Sequence, residues 1–243
     1  MSNIFFSADY HWGHSNEHGG IISMCKRPFS NLHEMEKAII DNHNSMVKPD
    51  DDFWLLGDVA YKCSPQYLVE RLRMLNGNIF VILGNHDKPL RQVINHGMVD
   101  DLIKSKKLTI IGSLDPNIIS AYQLKPEGAH LILSHYKYST WIGSFRGYSI
   151  NVYGHSHGNM PEFTDVLACD CGVDVNGFSP VPLQAILKKI ELRREWIRAN
   201  NKTVVDGENK PEGNILRISD IRKENKEIMK SLGYTIDDKM WDY

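Results

Sequence analysis

The chain has only four cysteines in 243 residues, Cys25, Cys63, Cys169 and Cys171, too few and too irregularly spaced for a disulfide framework, so they are read as reduced thiols. Cys169 and Cys171 lack the two-residue gap and the second pair of a zinc knuckle, and a packed strand of small residues is the better reading. Surplus positive charge is missing too: 28 Lys and Arg stand against 30 Asp and Glu, a formal charge of −2. Proteins that bind nucleic acid by neutralising phosphates usually carry a basic excess, so nucleic acid is not a favoured partner. The opening Met-Ser-Asn-Ile-Phe-Phe has no basic stretch leading into an apolar one, and no later segment approaches about eighteen consecutive apolar residues. The expectation is a cytoplasmic protein with neither a signal peptide nor a membrane span. Repeats and low-complexity tracts are likewise missing, and 42% hydrophobic with 24% charged residues describes an ordinary globular chain.

What is there begins with short apolar runs, each ending abruptly in Gly, Ser or Asp: residues 3–8, 53–56, 79–83, 130–133 and 150–153. They read as buried strands. Between the first two, Asn31 and Glu34 form a capping box, and Met35, Ala38, Ile39, Met46 and Val47 mark one face of a helix. Between the next two, Ser64 caps, Pro65 fits the first turn, Val69, Leu72 and Leu75 repeat at helical spacing, and Gly77 stops the helix. The result is β-α-β-α-β. After Lys88 the helical signal weakens and strand-like runs at 108–111 and 118–123 predict a second sheet, hence a mixed α/β layer structure.

A closing helix is expected over Leu183 to Ile197, its other face carrying Lys188, Lys189, Arg193, Arg194 and Arg198, read as a solvated stripe. Residues 200–214 turn polar around Gly207, Pro211 and Gly213, which is linker chemistry, and 219–232 reads as one more helix with a weak apolar stripe. A boundary is therefore placed near residue 200, with 1–199 as the main domain and 200–243 as a linker and helical appendage that could dock or dimerise. Oligomeric state is left open.

Every strand-like run ends within a few residues in a group able to bind metal: Asp9 and His11, Gly57-Asp58, Gly84-Asn85-His86-Asp87, Ser134-His135, and Gly154-His155-Ser156-His157. Each cluster alone is weak, since a lone histidine at a strand end is more often a packed loop residue. Together they converge, because the strand ends of an open α/β sheet open on one crevice. Imidazoles, carboxylates and one amide suit Mn²⁺, Zn²⁺, Fe²⁺ or Ni²⁺ and give no reason for an iron–sulfur cluster. The set is too large for one tetrahedral ion, whereas two ions about 3.5–4 Å apart and sharing a carboxylate would use it. Such a pair makes hydroxide near neutral pH and neutralises an entering phosphate, which is what phosphoester hydrolysis needs.

These motifs, in this order, resemble the signature of the calcineurin-like metallophosphoesterase superfamily over residues 1 to about 187. The likeness is closer to the small bacterial and bacteriophage metallophosphoesterases, which extend the first motif as in Asp9 to His14 and carry stretches like Arg27-Pro28-Phe29 and Gly172 to Gly177. The resemblance implies a four-layer fold of two mixed sheets flanked by helices, with two divalent ions, Mn²⁺ foremost. It implies that Asp9, His11 and His157 hold one ion, that Asn85, His135 and His155 hold the other, and that Asp58 bridges them. His86 would be a general acid rather than a ligand, with Asp87 orienting it. On the tail it is silent.

His14 and Arg27 stand near these motifs, either to contact substrate phosphate or to order a loop. His18, His33, His43, His96 and His130 have no motif and are expected at the surface or in packing. Tyr136, Tyr138, Trp141, Phe145 and Tyr148 would wall the crevice and stack a nucleobase, or pack the core, which is the preferred reading. The expected activity is hydrolysis of a phosphomonoester or phosphodiester, the substrate being a phosphorylated small molecule or nucleotide. A non-catalytic scaffold and a nuclease of the same superfamily are the competing readings; loss of ligands would favour the first, a basic groove the second.

Overall fold

The computed structural model describes residues 2–15, 18–126, 128–205 and 211–243. Its strands are β1 (Ile4–Ser7), β2 (Asp52–Leu55), β3 (Asn78–Ile82), β4 (Leu108–Ile111), β5 (Ala121–Leu124), β6 (Leu131–Ser134), β7 (Ile150–Tyr153), β8 (Glu162–Phe163), β9 (Ala168–Asp170), β10 (Val181–Pro182) and β11 (Ile215–Leu216). The helices are α1 (Gly20–Cys25), α2 (Leu32–Met46), α3 (Pro65–Met74), α4 (Lys88–Asn95), α5 (Asp100–Lys104), α6 (Leu183–Ala199) and α7 (Ile218–Ser231). One sheet has the order β10-β1-β2-β3-β4 and is parallel apart from β10; the other has the order β5-β6-β7-β9, with β5 antiparallel. This is a mixed α/β architecture of two main sheets flanked by helices.

Why the strands read as continuous apolar runs is visible in their faces. Phe5, Phe53, Leu55, Ile79 and Val81 pack with Met35 and Ile39 of α2, Leu68 and Leu72 of α3, and Leu90 and Val93 of α4. Their neighbours Phe6, Trp54, Leu56 and Ile82 point the other way, into a second core shared with Leu131, Leu133, Ile150 and Val152 of the other sheet. A parallel sheet covered on both faces needs apolar residues at every position. Both helices between the first three strands begin at the expected caps, with the Asn31 side chain accepting from Glu34 N and Ser64 accepting from Tyr67 N, but the capping box is not closed, because the Glu34 carboxylate accepts from Ser30 N instead of Asn31 N.

Differences are local. Helix α4 follows immediately on Asp87 and is only eight residues long, with Leu90 and Val93 as its buried side chains beyond Pro89. The stripe on α6 is not wholly solvated: Lys189 and Arg193 are buried, 3% and 2% exposed. Glu162 on β8 and Glu224 on α7 hold them, with Lys189 Nζ 2.8 Å from Glu162 Oε2 and Arg193 Nη2 2.5 Å from Glu224 Oε2. Buried charge of this density persists only when paired.

The expected linker at 200–214 lies partly outside the described residues. The residues after it return to the core, where Ile228, Met229 and Trp241 pack with α6 and the second sheet. Cys169 is buried in β9, and Cys171 just beyond it is buried too.

Candidate metal centre

The loops that leave β1, β2 and β3 emerge at one edge because those strands are parallel and in register. They are then laced together: Asp9 N donates to Gly57 O at 3.0 Å, His11 N to Asp58 O at 2.9 Å and Trp12 N to Val59 O at 3.0 Å. The backbone here is held in a conformation that side chains rarely adopt, with φ of 64° at Asp9, 52° at His11, 53° at Asp58, 68° at His155 and 49° at His157. Left-handed backbone at non-glycine residues costs energy and concentrates at functional sites. Two motif glycines have a steric reason. A Cβ at Gly84 would collide with the Asp58 carboxylate and come within 2.9 Å of His135 Cε1, and one at Gly154 would collide with Ala8.

Among the described residues three groups of donor atoms form, the atoms in each within 4.8 Å of one another: Asp9, His11 and His157; Asp58, His135 and His155; and, behind His157, Cys25 and Asp174 with that same histidine. Asp58 lies between the first two, its Oδ2 at 3.4 Å from His11 Nε2 and its Oδ1 at 3.5 Å from His135 Nε2. Asn85 joins the second group through Oδ1, 3.0 Å from His135 Nε2. All the residues expected as ligands are thus brought to one place.

The imidazoles are already oriented. His135 Nδ1 lies 2.8 Å from Leu56 O and His157 Nδ1 lies 2.7 Å from Asp174 Oδ2, so in each ring Nδ1 is held and Nε2 is the nitrogen that a metal ion would take in place of its proton. His11 Nε2 and Asp58 Oδ2 are buried with no hydrogen-bond partner among the described residues. Buried polar atoms are seldom left so, and a divalent cation would satisfy both.

The charge balance points the same way. Burial pushes the Asp9 carboxyl up to about 7, against the pull of His157 and His135. His157 is pushed up to about 11, because Asp9 and the hydrogen bond to Asp174 outweigh the burial that opposes its charge. At His135 burial is again overcome, by the hydrogen bond and charge of Asp58, and its value rises to about 9. Asp58, despite burial, is held well below the usual carboxylate range by His135 and His11. His11 goes the other way, driven by burial well below the usual imidazole range, and so stands neutral, the form that ligates metal. A buried donor set that recruits protons this strongly suits bound positive charge, and the residues fit two divalent ions.

His86 is half-buried at the rim, its ring centroid 5.4 Å from that of His11 and 4.9 Å from that of Tyr61, while its backbone N donates to Asp58 Oδ1 at 2.9 Å. Asp87 is not placed to orient the His86 ring: its carboxylate accepts from the backbone N of Asp58 at 2.9 Å, Val59 at 2.7 Å and Gly84 at 2.7 Å. Three amides converging on one buried carboxylate make it the pin between two ligand loops. Arg27 is buried and engaged, bidentate to Asp174 through Nε and Nη2 at 2.8 Å each, with Nη2 also donating to Asp9 O at 2.8 Å. Those are loop-ordering contacts, and no face of its guanidinium is turned to solvent. His14 approaches the centre, Nδ1 to His11 Nδ1 at 3.2 Å, with its ring 4.1 Å from Tyr61.

Three residues at the site escaped sequence reasoning in these roles. Tyr61 packs between His14 and His86. Tyr136, read only as a wall or packing residue, places its hydroxyl 3.2 Å from Asn85 Oδ1 with its ring against His155 at 4.6 Å. Asp174, noticed only within the Gly172 to Gly177 stretch, is the partner of both Arg27 and His157.

The family model for calcineurin-like phosphoesterases matches residues 3–242, thus running through the tail as well. The uncharacterized protein MJ1445 of Methanocaldococcus jannaschii is 31% identical over 197 residues, covering 79% of this chain and 93% of its own length. The crystal structure of a protein of unknown function from Aquifex aeolicus, AQ665, superimposes with a TM-score of 0.51 at 20% identity, covering 77% of this chain and 99% of the other, a likeness of fold. Among the described residues no helix is long and apolar enough to cross a membrane. With a family match over nearly the whole sequence, the chain belongs to the calcineurin-like phosphoesterase family.

Proposed function

We propose that this protein is a dinuclear metal-dependent phosphoesterase that hydrolyses a phosphomonoester or phosphodiester of a small molecule or nucleotide. The observation that carries the reading is the position of Asp58, whose two oxygens face His11 on one side and His135 on the other. In this reading Asp9, His11 and His157 hold one ion, Asn85, His135 and His155 hold the second, and Asp58 touches both. Mn²⁺ is the first choice of metal, with Zn²⁺, Fe²⁺ and Ni²⁺ as alternatives for the same oxygen and nitrogen donors. When bound, two such cations lower the pKa of water and neutralise phosphate charge.

The chain's own residues do the rest. His86, half-buried beside His11, donates a proton to the leaving oxygen, and His14 and Tyr61 fix the side of the crevice on which it stands. The Tyr136 hydroxyl supports the Asn85 amide oxygen in its ligating orientation. Asp87 keeps the Asp58 and Asn85 loops at a fixed separation. The test is a panel of Mn²⁺, Ni²⁺, Zn²⁺ and Mg²⁺ against aryl mono- and diesters, cyclic nucleotides, nucleoside mono- and diphosphates and short oligonucleotides. Hydrolysis of at least one ester class that vanishes on chelation supports the reading. Inactivity of fully metal-loaded protein across the panel would turn it toward a metal-binding scaffold.

A further inference from the structure

The tail is tied to the residue that orients His157. Arg222 Nε and the Tyr243 hydroxyl both donate to the backbone carbonyl of Asp174, at 2.9 and 2.8 Å. The Arg222 guanidinium lies over the Tyr243 ring, 3.5 Å from its centroid, and also donates to the Tyr243 backbone oxygen. Asn225, one turn further along α7, donates to Val175 O and to Asn176 Oδ1, each at 2.9 Å. Asp174 itself sits in a single 3-10 turn whose internal bonds are long, Val175 N to Gly172 O at 3.3 Å and Asn176 N to Val173 O at 3.2 Å. Such turns are weak alone. Here both lone pairs of the central carbonyl are occupied from the tail, while the carboxylate of the same residue is divided between Arg27 and His157 Nδ1.

We propose that Arg222 and Tyr243 are positioning residues for the metal ion held by Asp9, His11 and His157, acting through Asp174 on the orientation of the His157 ring. The proposal rests on the assignment of His157 as a metal ligand. Its physical basis is that a ring held at Nδ1 by a 2.7 Å hydrogen bond to a carboxylate follows that carboxylate, with Cys25 as a weaker thiol partner of the same ring, and the carboxylate follows its backbone. The tail therefore tunes one of the two metal positions while standing outside the crevice. Met229, further along α7, packs in the apolar core with Ile186 and Ile190 of α6, whereas Arg222 and Tyr243 carry the hydrogen bonds to Asp174, which separates docking of the tail from its aim.

The experiment is a Mn²⁺ titration of metal-free full-length protein, followed calorimetrically and by electron paramagnetic resonance. The parent is compared with His157→Ala, Tyr243→Phe, Arg222→Gln, Arg222→Lys and Met229→Ala, and Tm is measured without metal. The His157→Ala variant identifies the position concerned. Tyr243→Phe and Arg222→Gln are expected to weaken that position by about tenfold and leave the other within about twofold, with Arg222→Lys recovering part of the loss. Met229→Ala is expected to lower Tm while leaving both affinities unchanged. Unchanged affinities in Tyr243→Phe and Arg222→Gln, or an equal loss at the same position in Met229→Ala, would overturn the positioning role and leave the two-metal reading standing. A parent that binds fewer than two ions would instead overturn that reading, and this inference with it.

Discussion

Asp174 accepts a 2.7 Å hydrogen bond from His157 Nδ1 and, with both oxygens, holds the guanidinium of Arg27, so one buried carboxylate fixes the His157 ring and, through Arg27, the backbone at Asp9. Arg27 and His157 hold it well below the usual carboxylate range even though burial alone would raise it. Replacing Asp174 with Ala strands a buried arginine and frees an imidazole. The expected result is a loss of about 3–5 kcal/mol in urea unfolding of the metal-free protein. Loss of less than 1 kcal/mol would mean that Arg27 finds other partners.

Gly84 is confined by its neighbours, since a Cβ there would press on the Asp58 carboxylate and lie 2.5 Å from Asp58 N. Both are backbone or ligand atoms that cannot swing aside. Gly84→Ala should therefore fold but bind Mn²⁺ at least about tenfold more weakly, by displacing a ligand loop. Calorimetric titration decides it; affinity equal to that of the parent would show that the loop yields freely.

The role of His86 is separable from metal binding by choice of leaving group. Nitrophenolate leaves unaided, whereas an alkoxide needs a proton. His86→Ala should keep both ions, lose about 10²–10⁴-fold on an alkyl or nucleoside ester and much less on a nitrophenyl ester, where bond cleavage limits the rate. Equal losses on both would leave His86 as a phosphate-binding or positioning residue.

How much of this was legible in the sequence follows from what each residue does locally. The convergence of the candidate metal-binding residues is readable because each follows an apolar run, and parallel strands bring such ends together whatever lies between them. Asn31 and Ser64 announced their helices because capping is a local hydrogen bond. Asp87 was misassigned as a partner of His86 because sequence adjacency suggests contact, whereas its carboxylate reaches back to amides of another loop. Lys189 and Arg193 read as surface because their partners, Glu162 and Glu224, lie 27 and 31 residues away at the nearest. Tyr61, Tyr136 and Asp174 acquire their roles only through contacts across the crevice, for which no spacing rule exists.

His43, read as a packing residue, sits in the core with its ring edge-on to Phe53 and Nε2 3.0 Å from Asn76 O. Burial lowers it from the ordinary 6.5 to about 4, against the smaller opposing effect of that hydrogen bond. Its folded value lies below its unfolded one, so the unfolded chain binds the proton first. Its contribution is therefore complete above about pH 6.5 and is lost as pH falls to 4, by up to about 3 kcal/mol. The His43 imidazole resonance in NMR should stay neutral down to about pH 4; titration near 6.5 would remove this share of acid sensitivity.

Joint contact of two metal ions with Asp58 is the arrangement that its two oxygens, facing His11 and His135, support. Anomalous scattering from crystals of Mn²⁺-loaded protein tests it directly, with elemental analysis of the same preparation for stoichiometry. The account predicts two anomalous peaks per chain, about 3.5–4 Å apart, with Asp58 the residue that touches both. A single peak in fully loaded protein, or two peaks of which one has no contact with Asp58, would contradict it.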